Sequence, residues 1–179
     1  MTAIYLIRHA RSEANEKDLC GMDLPLSKEG ERQAKEAAKY IGIRPDVVMS
    51  STKKRTIQTA EILFPELYQH VTLPVFDEIF FGDLESVAST EELRCEILKD
   101  PLCIRTKYHG DDIWERAQKA IEYLDHLEEE FPDQTVAIVT SDSLLQSIRC
   151  LQQHGKVNGI VWSYENYFEN CSCYRYPFS

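Results

Sequence analysis

Ile4-Tyr5-Leu6-Ile7-Arg8-His9-Ala10-Arg11-Ser12-Glu13-Ala14-Asn15 is the stretch from which the rest of the chain can be read. Four apolar residues in a row, β-branched or aromatic apart from Leu6, predict a short strand buried on both faces. The run stops abruptly at two basic side chains. In sheets built from alternating strands and helices, ligands sit in the crevice beyond the carboxyl ends of the strands. Arg8 and His9 occupy such an end, and Arg11, Ser12, Glu13 and Asn15 come after them. This is a concentrated set of donors for an oxyanion, with an imidazole suited to act as nucleophile or proton carrier near neutral pH. Taken alone, an Arg-His pair is more often what an exposed loop carries.

Composition narrows the field. A chain of 179 residues, 43% hydrophobic and 28% charged, predicts one domain over residues 1–179 with a real core. No apolar run approaches the length that spans a bilayer, and residues 4–7 are too short and lack the basic flank of a signal peptide. A cytoplasmic protein without a membrane partner is expected. The formal net charge of −10 argues against nucleic acid, whose binding relies on basic residues displacing counterions. It also means that a small anion must be drawn in by a local basic cluster against the overall field. Six cysteines without C-x-x-C spacing read as reduced thiols. Cys171 and Cys173 alternate as on one face of a strand, so packed thiols are expected there and no metal site.

Further along, Pro25 and Ser27 mark a helix start, and Ala34, Ala37, Ala38 and Ile41 recur at helical spacing before Gly42. Residues 46–49 predict a second buried strand, emptying into Ser50-Ser51-Thr52-Lys53-Lys54-Arg55 at the head of another helix. Basic residues oppose the dipole at a helix start, so three together point to an anion held there, or else to a solvated basic face. Residues 71–76 predict a third strand, which runs into Asp77-Glu78-Ile79-Phe80-Phe81-Gly82-Asp83-Leu84-Glu85. A carboxylate among aromatics suits a general acid, although a surface Glu near the Gly82 turn fits equally well. Residues 91–98 read as a short helix, 101–110 as a loop, and 113–131 as a long amphipathic helix halted at Pro132. Residues 136–139 predict another buried strand, then a helix through Leu144, Leu145, Ile148 and Leu151.

Several blocks, in order, resemble the histidine phosphatase superfamily, which includes phosphoglycerate mutases and small phosphatases. Arg8-His9-x-x-Ser12-x-x-Asn15 is similar to its opening signature. Gly21…Asp23-x-Pro25-Leu26-Ser27-x-x-Gly30 is similar to the superfamily's next segment, one residue tighter than usual between Gly21 and Asp23. Arg55 with Thr59-Ala60 matches a second block, Glu78…Gly82 a third, and Asn170 onward the closing strand. The resemblance implies an α/β three-layer sandwich, with a mostly parallel sheet and helices on both faces. It implies a phosphatase of small phosphate monoesters in which His9 forms a phosphohistidine. Arg8, Arg55 and Asn15 would hold the phosphoryl oxygens with Ser12 and Gly21 beside them, and Glu78, favoured over Asp77, Asp83 and Glu85, would protonate the leaving group. Neither a metal nor a cofactor is implied, since two guanidinium groups supply positioning and charge.

One position departs from the pattern. The superfamily's second histidine, at the end of the strand over 136–139, falls on Ser141, with Asp142 on the Gly after it. Ser141 can donate one hydrogen bond but brings no charge. The resemblance therefore implies either a slow or specialised phosphatase or a phospho-ligand-binding relative with little turnover. The short segment after Glu78 and the lost histidine both disfavour a mutase. Ala10 stands where Gly is usual, which fits if its φ is negative.

Overall fold

The sequence folds, in a computed structural model that describes residues 1–66, 69–156 and 168–178, around strands β1 (Ala3–Arg8), β2 (Val47–Ser50), β3 (His70–Thr72), β4 (Thr135–Thr140) and β5 (Cys173–Tyr176). They lie in the order β3-β2-β4-β1-β5. The first four are parallel and β5 is antiparallel at the edge. The chain leaves β1 for β2 and β3, then returns to insert β4 between β2 and β1. The carboxyl ends of β1, β4 and β2 therefore share one edge, where Arg8 is level with Thr140 and Val139 with Ser50.

Seven helices among the described residues complete the order: α1 (Glu13–Glu16), α2 (Lys28–Tyr40), α3 (Lys54–Leu63), α4 (Glu91–Lys99), α5 (Cys103–Thr106), α6 (Ile113–Glu130) and α7 (Asp142–His154). Alternation along each strand sends successive side chains to opposite faces. Leu6, Met49, Val136 and Ile138 pack with Leu124 and Leu127 of α6 and Leu144 and Ile148 of α7. Ile7, Val48, Ala137 and Val139 pack instead with Ala60 and Leu63 of α3 and with Ala37 and Ala38 of α2. Both faces of the sheet are covered, giving an α/β three-layer sandwich. Each fully buried Leu or Ile contributes about 1.5–3 kcal/mol, so the doubly covered strands anchor the edge on which Arg8 and His9 stand.

Four expectations change. The predicted strand over 71–76 is shortened to β3, because Pro74 cannot donate to a ladder and begins a 3-10 turn through Phe76. The predicted loop over 101–110 contains α5, whose Cys103 and Ile104 are buried. The polar stretch after His9 holds α1, capped by Ser12. Cys171 sits outside β5 in a left-handed turn with φ +62°, so it does not share a strand face with Cys173. All six cysteines are unbridged.

Residues between Glu78 and α6 form an apolar cluster of their own. Ile79, Phe81, Leu93, Ile97, Ile104, Ile113 and Trp114 are all buried in it. Gly82 permits the close approach this needs: at φ +62°, any Cβ there would lie 1.9 Å from the Tyr108 carbonyl oxygen.

Candidate active site

The backbone of residues 8–10 is held from three sides. His9 N–H donates to Thr140 O, Ala10 N–H to the Thr59 hydroxyl, and the Asn170 amide to His9 O. Ala10 does not take a positive φ, so its methyl group is accommodated. His9 Nδ1 donates to the Ala10 carbonyl oxygen at 2.6 Å. A carbonyl can only accept, so the ring proton belongs on Nδ1 and Nε2 is left with its lone pair. The ring is buried, and that burial, reinforced by the Arg55 and Arg8 guanidinium groups, holds its pKa well below the usual 6.5. The result is a neutral imidazole beside two permanent cations.

Arg55 reaches the same place from the first turn of α3. It donates to Met22 O at 2.9 Å and to Glu78 Oε2 at 2.5 Å, with Asp23 at 3.8 Å. At the head of α3, carboxylates from other segments accept from backbone N–H groups. Asp23 accepts from Lys54 N–H, and Asp77 accepts from the Thr52 N–H and hydroxyl. Of the three basic residues there, Arg55 alone is buried. The other carboxylates near Glu78 are also engaged: Asp83 pairs with His109, and Glu85 accepts from Phe81 N–H beside Gly21. Gly21 has a left-handed backbone, φ +64°, and the Glu85 carboxylate lies where a Cβ would project.

Ser12 and Asn15 form a capping box on α1. Asn15 Oδ1 accepts from the Ser12 N–H and hydroxyl, while Ser12 Oγ accepts from Asn15 N–H. These contacts occupy the amide oxygen and leave Nδ2 as the donor at the cavity wall. A cavity of about 500 Å³ brings together Arg8, His9, Ser12, Asn15, Gly21, Arg55 and Glu78. A larger hollow of about 780 Å³ between α6 and β5 contains none of them.

Ser141 is placed differently from its companions. It is the N-cap residue of α7 and only 1% exposed, its hydroxyl lies 3.1 Å from Ser143 Oγ, and the cavity is lined instead by Asp142, Ser143 and Gln146. Ser143 donates onward to Glu78 Oε1 at 3.3 Å. The Asp142 carboxylate accepts from Phe168 N–H and from Gln146 Nε2. Burial raises its pKa, while Arg8 and these two donors pull the other way. Arg8 itself donates to the Phe168 carbonyl oxygen, so Arg8 and Asp142 clamp the two sides of one residue. Ser143, Gln146 and the role of Asn170 were not evident from the sequence. Asn170 carried a motif signal, but the two α7 residues carried none beyond helical spacing. Among the described residues, no group of three His, Cys, Asp or Glu side chains converges as a metal site would.

Comparison with known families matches residues 4–179 to the model of the histidine phosphatase superfamily, branch 1. The chain belongs to that superfamily. It is 29% identical to the uncharacterized phosphatase PhoE of Bacillus subtilis strain 168 over 159 residues, which is 83% of this chain and 76% of that one. Solved structures agree on the fold. Mycobacterial glucosyl-3-phosphoglycerate phosphatase superposes with TM-score 0.78 at 19% identity, covering 97% of this chain and 91% of the other. Phosphoglycerate mutase of Bacillus anthracis gives 0.75 at 16% identity, over 97% and 86%. No helix among the described residues is long and apolar enough to cross a membrane.

Proposed function

We propose that the protein hydrolyses a small phosphate monoester through a phosphohistidine on His9. The observation that carries this reading is the uncharged imidazole of His9, its Nε2 lone pair available, set in one cavity with Arg8, Arg55 and Glu78. Nε2 attacks phosphorus as the ester P–O bond breaks, and Glu78 gives its proton to the departing oxygen. Water then attacks the phosphohistidine and gives a proton back to Glu78, releasing inorganic phosphate and the free imidazole. The Arg8 and Arg55 guanidinium groups and Asn15 Nδ2 compensate the charge on the phosphoryl oxygens. In the ligand-free site Arg55 is paired with Glu78. A bound dianion competes with the Glu78 carboxylate for that guanidinium.

The Ser141-Asp142 pair supports a second reading, a phospho-ligand-binding relative with little turnover. Where the superfamily has a second imidazole, this chain has a buried neutral hydroxyl and then a carboxylate. Loss of a comparable charge-stabilising donor costs about 10²–10³ in rate. A generic aryl phosphate assay separates the two. Turnover in the wild type that falls by ~10⁴-fold or more in His9→Ala supports the enzyme. No turnover in either protein, with phosphate binding retained by the wild type, leaves the binding module.

A further inference from the structure

The junction of β4 and α7 grips the turn that carries Glu78 at two points. Thr140, the last residue of β4, donates its hydroxyl to Phe76 O at 2.7 Å. In the first turn of α7, Ser143 donates to Glu78 Oε1 at 3.3 Å. Phe76 and Ile79 are buried on either side of Glu78, and Arg116 donates to Asp77 O at 2.8 Å, so the backbone beneath the carboxylate is pinned. Ser143 is equally fixed. It is itself buried, its carbonyl accepts from the Ser147 hydroxyl at 2.8 Å, and Leu144 and Leu145 after it are fully buried. It still lines the cavity together with Glu78.

Burial alone does not call for the contact with Glu78. Ser141 Oγ, 3.1 Å from Ser143 Oγ, would satisfy that hydroxyl by itself. What the contact supplies is something Arg55 cannot. Arg55 faces Oε2 at 2.5 Å, and a guanidinium only donates, so the proton that Glu78 gives up belongs on Oε1. A hydroxyl both donates and accepts. Ser143 accepts from the protonated Oε1 before the reaction, and donates to the carboxylate once the leaving oxygen has taken the proton. Ser141 takes the complementary part each time. Gripped by α3 on one oxygen and by α7 on the other, the carboxyl group has a fixed plane. When a bound dianion competes for Arg55, Ser143 keeps hold of Oε1. At 3.3 Å its hydrogen bond is long, as catalytic ones in ligand-free sites often are.

We propose that Ser143 is a positioning residue for Glu78, holding its proton-bearing oxygen Oε1 in place through both protonation states of the carboxyl group. The proposal rests on the phosphatase reading, in which Glu78 is the proton donor. It gives the block that lacks the second imidazole a part in protonating the leaving group, carried out through Glu78.

The test compares phenyl phosphate with 4-nitrophenyl phosphate. The two esters are alike around phosphorus, but phenolate is the more basic leaving group and depends more on a donated proton. Each protein is read as the ratio of kcat/KM for the phenyl ester to that for the 4-nitrophenyl ester. A general loss of folded enzyme or of phosphate binding leaves this ratio unmoved. Glu78→Gln should lower it by about 10–10²-fold, part of what general acid catalysis supplies. Ser143→Ala should lower it by about 3–10-fold, the worth of one hydrogen bond. Ser143→Cys, close in size but a weak donor, should fall in the same direction and provides the result if Ser143→Ala fails to fold. Because Ser143 acts through Glu78, adding Ser143→Ala to Glu78→Gln should lower the ratio no further. An active wild type whose ratio is unmoved in the Ser143 variants, or losses that multiply in the double variant, overturns the proposal alone. A wild type inactive on both esters overturns the phosphatase reading and the proposal with it.

Discussion

At the carboxyl end of β1 the chain presents Arg8 and His9, and at the adjoining end of β4 it presents Ser141, Asp142 and Ser143. The two strands are neighbours in strict parallel register and each is buried on both faces. Their ends have nevertheless been used in opposite ways. The first sets an uncharged, tautomerically fixed imidazole against cations. The second carries small hydroxyls and a carboxylate that accepts from Phe168 N–H and Gln146. The difference shows that a sheet edge fixes position while leaving charge free to vary.

Perturbing the two ends should therefore give opposite results. Around His9, Arg55→Ala in the first turn of α3 removes a guanidinium from the imidazole and leaves Glu78 without its 2.5 Å partner. Aryl phosphate turnover should fall by about 10²–10³. A loss under tenfold would mean that Arg55 is structural. On the β4 side, Ser141→His restores an imidazole at the cap of α7, and turnover should rise by roughly 10–10². No gain would indicate that the register of this block, or the space around residue 141, has been misassigned.

A smaller effect concerns pH. The folded-state pKa of His9 lies well below 6.5, so the unfolded chain takes up this proton as pH drops through 6.5 while the native site does not. His9 therefore makes no pH-dependent contribution to stability above 6.5, and below it the native state loses ground until the ring titrates. Nitrogen-resolved NMR of the ligand-free protein should show the Nδ1–H tautomer persisting below pH 6.5. A midpoint at or above that value would contradict the burial argument.

Much of the fold and site is legible in the chain. The apolar runs of β1 and β4 ending in polar residues announce the sheet edge, and Ser27 and Gly42 bound α2 through cap and stop signals. Arg55 and Glu78 stand out by their spacing within motif blocks. What stays hidden is long-range. Asn170 reaches His9 across 161 positions, and Asp142 meets Phe168 across 26, contacts that no local pattern encodes. The carboxylates that accept from the backbone N–H groups at the head of α3, Asp23 and Asp77, are both supplied by other segments. Pro74 is visible within an apolar run that reads as a strand, yet its missing N–H makes a turn the better outcome.

The central claim is a covalent one, so covalent trapping tests it most directly. Rapid acid-free quenching of the wild type with a labelled aryl phosphate, then mass mapping, should place one phosphoryl group on His9, labile to acid and stable to alkali, and absent from His9→Ala. Turnover with no protein-bound phosphoryl group, or with an acid-stable ester on Ser12, Ser141 or Ser143, would contradict it.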